Sequence, residues 1–278
     1  MRLRIVDAFT DRPFSGNPAG VVLLEPSEEA AAGTGRFPDD TWLGLVAREV
    51  NHPETAFAHR LPPGEDADWA LRWFTPTTEV DMCGHATLAT AHVLRTTGLI
   101  DGPVRFRTRS GVLTAAPNPD GTLTLDFPTA PLGPVTAPED LSAALGAEPL
   151  SVLDTGQLGD LLAEFADEAA VRALAPDLRA LALVSERGVI ATAPAQDPSA
   201  GHDFVSRCFF PRFGIDEDPV TGSAHTALAP FWSARLGRTE LTGRQVSPRS
   251  GVVHTRLMGD RTLLTGSAVT VVDGELLV

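Results

Sequence analysis

No lysine and no tyrosine occur among the 278 residues of this chain. The missing lysine excludes a Schiff base to pyridoxal phosphate and a P-loop lysine gripping a phosphate. The missing tyrosine excludes a phenolic general acid. Only Cys83 and Cys208 are present, too few and too far apart for a disulfide framework or a zinc cluster. His52, His59, His92, His202, His225 and His254 lack a metal-ligand spacing and read as structural or exposed, so no metal is expected. No apolar run is long enough to span a membrane, and Asp7 interrupts the N-terminal segment before a signal-peptide core can form. A cytoplasmic protein without a membrane partner is therefore expected. A formal charge of −14 opposes nucleic-acid binding, which needs a positive field against phosphate.

What the chain does contain is an internal echo. Gly84-His85-Ala86-Thr87-Leu88-Ala89-Thr90-Ala91 is answered by Gly222-Ser223-Ala224-His225-Thr226-Ala227-Leu228-Ala229, an offset of 138 (222 minus 84). Arg109-Ser110-Gly111-Val112 recurs as Arg249-Ser250-Gly251-Val252. Asp120-Gly121-Thr122-Leu123 is loosely matched by Asp260-Arg261-Thr262-Leu263. Three echoes in one order point to two homologous halves, each mixing helix and strand. In both halves a glycine opens an Ala/Leu-rich helix. Glycine lets backbone N–H groups at a helix start approach a ligand closely, and the helix dipole favours negative charge there.

Local patterns predict strands at 4–9 and 19–24, a surface loop over 25–37, and a helix carrying Trp42, Leu45, Val46 and Val50, capped by Asp39 or Asp40. Pro53 resists helix continuation, which sets Glu54 near a strand start. Further strands are predicted at 71–75, 104–108, 112–116 and 122–127. Pro128 to Pro138, with four prolines and Gly133, is the best linker, giving lobes 1–128 and 129–278. A C-terminal strand at about 270–278 can complete the first lobe. In the second half, helices are predicted at 139–145 and 167–174. Strands are predicted near 151–155, 158–165, 181–185, 189–193 and 203–210.

Superposing the two glycines sets Cys83 opposite Thr221 and His85 opposite Ser223. With Glu54, His85 and Asp218 converging on a cleft, the natural chemistry is proton transfer to and from carbon. Two helix starts would supply donors for the resulting anion. Each residue also fits a plainer role: Glu54 a solvated carboxylate, His85 a capping or core histidine, Cys83 a small buried hydrophobe, Asp218 a helix cap.

Several motifs occur together in one order: Val6-Asp7-Ala8-Phe9-Thr10, Phe14-Ser15-Gly16-Asn17-Pro18-Ala19, Glu54-Thr55-Ala56-Phe57, Arg72-Trp73-Phe74-Thr75-Pro76, Cys83-Gly84-His85-Ala86-Thr87 and Glu217-Asp218-Pro219-Val220-Thr221-Gly222-Ser223. In this the chain resembles, over almost its whole length, the phenazine-biosynthesis isomerase family (PhzF-like proteins), within the diaminopimelate-epimerase-like fold. The resemblance implies an α+β protein of two pseudo-symmetric lobes, each a barrel-like, mostly antiparallel sheet around a central helix, with the active site between them. It implies cofactor-independent isomerisation of a small carboxylate-bearing substrate, in a homodimer. Glu54 falls on the family's general acid/base, and His85 and Asp218 on its other catalytic positions. Asn17, Gly84, Thr221, Gly222 and Ser223 fall among substrate-binding positions. Where the family usually has a serine before the glutamate, this chain has Pro53, which carries neither an N–H nor a side-chain donor.

Proline racemase-like enzymes of the same fold carry a similar Met-Cys-Gly-His segment with a second cysteine on the opposite helix. Here that position is Thr221, so a two-thiol racemase is not expected. A Cys/Thr arrangement resembles hydroxyproline dehydratases, leaving a lyase that uses Cys83 as the alternative, beside a non-catalytic small-molecule binder.

Overall fold

A computed structural model describes residues 1–24 and 37–278; the loop expected over 25–37 lies, except for Phe37, outside the described residues. The chain forms two compact units, Met1–Asp126 with Thr265–Val278, and Phe127–Leu264. Unit 1 contains β1 (Arg2–Ala8), β2 (Asn17–Leu23), α1 (Asp40–Val50), β3 (Glu54–Arg60), β4 (Trp69–Phe74) and β5 (Glu79–Val80). It continues with α2 (Gly84–Thr96), β6 (Val104–Thr108), β7 (Gly111–Pro117) and most of β8 (Leu123–Pro128). Unit 2 contains β9 (Gly133–Pro134), α3 (Leu141–Leu145), β10 (Ser151–Asp154), β11 (Asp160–Glu164), α4 (Glu168–Ala173), α5 (Leu178–Val184) and β12 (Gly188–Pro194). It continues with β13 (Phe204–Phe210), β14 (Ile215–Asp218), α6 (Gly222–Leu236), β15 (Glu240–Gln245), β16 (Gly251–Met258) and most of β17 (Arg261–Gly266). The last strand, β18 (Ala268–Glu275), belongs to unit 1 and pairs antiparallel with β1.

The pairings follow one scheme in each unit. In unit 1, β18, β1 and β2 are antiparallel, β2 and β3 parallel, β3 and β4 antiparallel, β4 and β6 parallel, and β6, β7 and β8 antiparallel. In unit 2, β9, β10 and β11 are antiparallel, β11 and β12 parallel, β12 and β13 antiparallel, β13 and β15 parallel, and β15 and β16 antiparallel. A short strand hangs antiparallel from the same place in each, β5 on β4 and β14 on β13. The repeat seen in short motifs thus extends to both sheets, and the architecture is α+β.

Strand alternation sorts the cores. In unit 2, Ala163, Val189, Ala191, Val205 and Phe209 pack with α3, α4 and α5, while Leu162, Ile190, Phe204, Cys208 and Phe210 pack against α6. In unit 1, Val22, Phe57 and Phe74 cover α1. Helix α2 packs against β1, β2, β3, β7 and β18, and every residue from Gly84 to Ala91 is buried. Its small side chains let strands approach closely. Its two buried threonines satisfy their hydroxyls within the helix, Thr87 donating to the Cys83 carbonyl at 2.6 Å and Thr90 to that of Ala86 at 2.7 Å. In α6, Pro230 removes the N–H that would meet the Thr226 carbonyl, and Ala130 of the proline-rich segment donates to that carbonyl instead at 3.2 Å.

Two local expectations need correction. Residues 178–184 form the helix α5, not the strand expected near 181–185. Asp177 caps it by accepting from the N–H groups of Arg179 and Ala180, and strong helix formers complete the turn although a segment apolar at all but one position shows no helical period. Helix α1 has its expected cap at Asp39 but buries Leu43, Val46 and Ala47, leaving Leu45 55% exposed. The difference is one step around the helix, within what a short apolar pattern can specify. Among the described residues no helix is long and apolar enough to cross a membrane.

The turn delivering Asn17 to β2 contains Gly16 at φ +67°, and a Cβ there would lie 2.2 Å from the Ala8 carbonyl oxygen. Gly16→Ala is expected to cost at least about 1 kcal/mol in denaturant unfolding, because both the left-handed backbone and a backbone atom oppose it. A variant of wild-type stability would contradict this reading of the turn.

Candidate active site

Three chain punctuations bring the polar residues of unit 1 together. Helix α1 stops at Asn51, in the left-handed conformation at φ 52°, and Pro53 follows, so Glu54 becomes the first residue of β3. The β1–β2 turn, held by the Phe14 N–H donating to the Asp7 carboxylate at 2.7 Å, makes Asn17 the first residue of β2. Short β5 leads into Cys83, extended and at the N-cap of α2, so that His85 sits in the helix's first turn.

Asn17, Glu54, Cys83 and His85 are all buried. The Asn17 amide nitrogen lies 3.2 Å from His85 Nδ1, and His85 Nε2 lies 3.2 Å from Glu54 Oε2. The second contact is close but poorly aligned, and Oε2 has no hydrogen-bond partner. Cys83 Sγ lies 3.5 Å from Nδ1 and 4.0 Å from Nε2. Asn17 can serve either state of the ring, donating to the neutral Nδ1 or, with its amide turned over, accepting from an imidazolium.

Burial opposes charge on His85, but attraction to Cys83 and Glu54 outweighs it and holds the imidazole well above its usual range. Burial, then the Glu54 carboxylate, pushes the Cys83 thiol up to about 11 against the pull of His85. At neutral pH Cys83 is therefore a thiol whose pull on the ring is confined to a weak hydrogen bond, and the charge acting on the ring is that of the Glu54 carboxylate. Among the described residues, Glu54, Cys83 and His85 form the group able to hold a metal ion, their ligand atoms all within 4.8 Å of one another.

Asp218, Thr221, Gly222 and Ser223 gather at the corresponding place in unit 2. Thr221 is the extended N-cap of α6, as Cys83 is of α2. Its hydroxyl donates to Asp218 Oδ2 at 2.5 Å and its N–H to Gln245 Oε1 at 2.8 Å. The Gln245 amide nitrogen donates to the Asp218 carbonyl at 2.7 Å and to the Thr221 hydroxyl at 3.1 Å. His225 occupies the place of Thr87 and meets the N-cap carbonyl at 2.8 Å through Nδ1; burial drops its pKa to about 4, so it is a neutral structural residue.

Sequence reasoning missed Arg187 and Asp160. Arg187 donates to Asp160, donates to the Ser223 hydroxyl at 3.3 Å, and lies over the Phe210 ring at 4.9 Å. These residues open β11 and precede β12, remote in sequence from the Gly222 motif. A signal existed. Arg207 forms a bidentate pair with Glu217 and stacks on Phe209, as Arg72 does with Glu79 and Phe74, and this echo fixes the strand alignment of the halves. Phe57 lies opposite Arg72 and Ala191 opposite Arg207, so Glu54 corresponds to Gly188. A Cβ at Gly188 would overlap Phe210 at 2.1 Å. Unit 2 has no counterpart of the Glu54 carboxylate.

Two units sharing one scheme of strands, each with a buried helix whose first turn carries the polar groups, define the diaminopimelate-epimerase-like fold. The family described as phenazine biosynthesis-like protein (PhzC-PhzF) matches residues 6–274. An uncharacterized isomerase of Halalkalibacterium halodurans is 43% identical over 276 residues, 98% of this chain and 97% of that protein. One of Pseudomonas aeruginosa is 44% identical over 272 residues, 98% of this chain and 96% of that protein. The crystal structure of a PhzF-family phenazine biosynthesis protein from Enterococcus faecalis superposes with a TM-score of 0.88 at 36% identity, covering 100% of this chain and 99% of that one. The chain belongs to the phenazine biosynthesis-like (PhzC-PhzF) family.

Burial raises the Asp160 carboxyl to about 6 from 3.8, against the pull of Arg187. The folded state therefore holds this proton more tightly than the unfolded chain. The contribution to stability is complete below about 3.8 and is lost as pH rises through about 6. Unfolding free energies of wild type and Asp160→Asn across this window should show wild type losing ground to the variant as pH rises; a constant difference would contradict the assignment.

Proposed function

We propose that the protein is a cofactor-independent isomerase in which Glu54 removes a carbon-bound proton from a small carboxylate-bearing substrate and redelivers it elsewhere on the same skeleton. The observation carrying this reading is the buried Glu54 carboxylate, beside His85 with Oε2 lacking a hydrogen-bond partner. A base so placed keeps a lone pair for substrate. His85 orients polar substituents of the substrate or assists their tautomerisation, and Asn17 fixes its ring. Gly84 and Gly222 contribute backbone donors at the two helix starts, which favour a carboxylate or a developing oxyanion.

Asp218 and Ser223 hold polar groups of the substrate, Thr221 and Gln245 fix Asp218, and Arg187 adds positive charge at the Ser223 hydroxyl. Glycine at the position matching Glu54 supports one base rather than a symmetric pair. The lyase reading needs a reactive thiolate at Cys83, and the rise of that thiol to about 11 weighs against it. As the resemblance implies, the working form is a cytoplasmic homodimer, and trans-2,3-dihydro-3-hydroxyanthranilate is the first substrate to test.

Glu54→Gln preserves shape and removes the base. It should lower conversion and solvent-deuterium incorporation by at least about 10²-fold, the scale of general acid/base catalysis. Wild-type exchange in the variant would sink the role given to Glu54. Loss of water from the substrate, dependent on Cys83, would instead support the lyase.

A further inference from the structure

We infer that Glu54, Cys83 and His85 form a binding site for a zinc-class divalent cation, and that the bound cation inhibits the protein by occupying its base. The inhibition rests on the role proposed for Glu54; the binding does not. Three donors of different kinds, a sulfur, an imidazole nitrogen and a carboxylate oxygen, lie within 4.8 Å of one another. Zinc bonds of about 2.0–2.3 Å place tetrahedral ligand atoms about 3.3–3.6 Å apart. The Nε2 to Oε2 distance is 3.2 Å and the Sγ to Nε2 distance 4.0 Å, so two edges of the shell need shifts of only a fraction of an ångström, and the third lies within the 4.8 Å span of the group. Glu54 Oε2 is buried, faces His85 and has no hydrogen-bond partner.

The donor set selects the ion. Thiolate and imidazole favour zinc, cobalt and their neighbours over magnesium, which prefers oxygen ligands and retains its water. On binding, the Cys83 thiol and the ring nitrogen facing Glu54 release their protons to solvent, while the ring keeps one proton at Nδ1 against Asn17. Thiolate and carboxylate then balance the dication, which limits the cost of placing it in a buried site. The positive end of α2 opposes a cation at this place, an effect small beside bonds to three donors. The fourth position is left to water or to a substrate oxygen, and the carboxylate is no longer available to take a proton from carbon.

The test is titration of the full, reduced, metal-free chain with Co(II), which reports thiolate ligation by a sulfur-to-cobalt charge-transfer band in the near ultraviolet. One equivalent should produce the band, one equivalent of Zn(II) should abolish it, and Mg(II) should leave it unchanged. Cys208→Ser should retain it and Cys83→Ser should lose it, and Glu54→Gln should weaken Zn(II) binding by at least about tenfold. Asn17→Ala, which leaves all three donors in place, should keep the band and weaken binding by about 10- to 100-fold, so the site stays testable if Cys83→Ser does not fold. No band in wild type, or an unchanged band in Cys83→Ser, overturns the site. Zn(II) bound at one equivalent without loss of deuterium exchange overturns the inhibition alone. Exchange by metal-free Glu54→Gln reports separately on the base.

Discussion

A helix start buried inside a sheet imposes a demand that the rest of unit 1 answers. The first turn of α2 carries backbone N–H groups that no earlier helical carbonyl can accept, and a histidine in that turn cannot reach water. Leaving such groups unmet would cost several times the worth of an ordinary hydrogen bond. The partners of the His85 ring arrive on neighbouring strands, at the ends level with the helix start. Asn17 and Glu54 are the first residues of their strands, delivered by a left-handed glycine turn and by a helix stop followed by proline. Turn chemistry, strand register and the charge state of His85 are parts of one arrangement.

The two units solve the same problem with different residues. Each N-cap carbonyl receives a side chain from the next helical turn, Thr87 in one unit and His225 in the other. Each sheet carries an arginine, clamped by a glutamate and laid over a phenylalanine. The two units also differ at the helix starts and at one strand position: Cys83 against Thr221, His85 against Ser223, Glu54 against Gly188. Unit 1 holds an acid–imidazole pair, while unit 2 holds a fixed network of threonine, glutamine and aspartate with a guanidinium at Ser223. The carboxylate at Glu54 thus has no twin at the matching position, Gly188.

The helix starts at Gly84 and Gly222 were legible because glycine, cap residue and Ala/Leu pattern are adjacent in sequence, and the strand start at Glu54 because Pro53 stops the preceding helix. Residues 178–184 misled because Leu-Arg-Ala-Leu-Ala-Leu-Val is apolar at every position but one and so shows no clear period, and the Asp177 cap together with helix-forming Leu and Ala decides for helix. Arg187 and Asp160 were invisible for another reason: they meet Ser223 through a parallel strand pairing, which leaves no local trace. The arginine–glutamate–phenylalanine echo escaped a fixed-offset reading because Arg72 and Arg207 are 135 residues apart (207 minus 72), whereas the glycines are 138 apart (222 minus 84).

The Glu54 carboxylate helps hold the proton on His85, and nitrogen-15 NMR of the histidine rings tests this most directly. With the seven histidines labelled and His85 assigned by its loss in His85→Gln, pH titration reads the ring itself. The account predicts that His85 keeps its proton well above the usual imidazole range and falls back when Glu54 is replaced by glutamine. A His85 ring that titrates in the usual imidazole range, unmoved by Glu54→Gln, would contradict it.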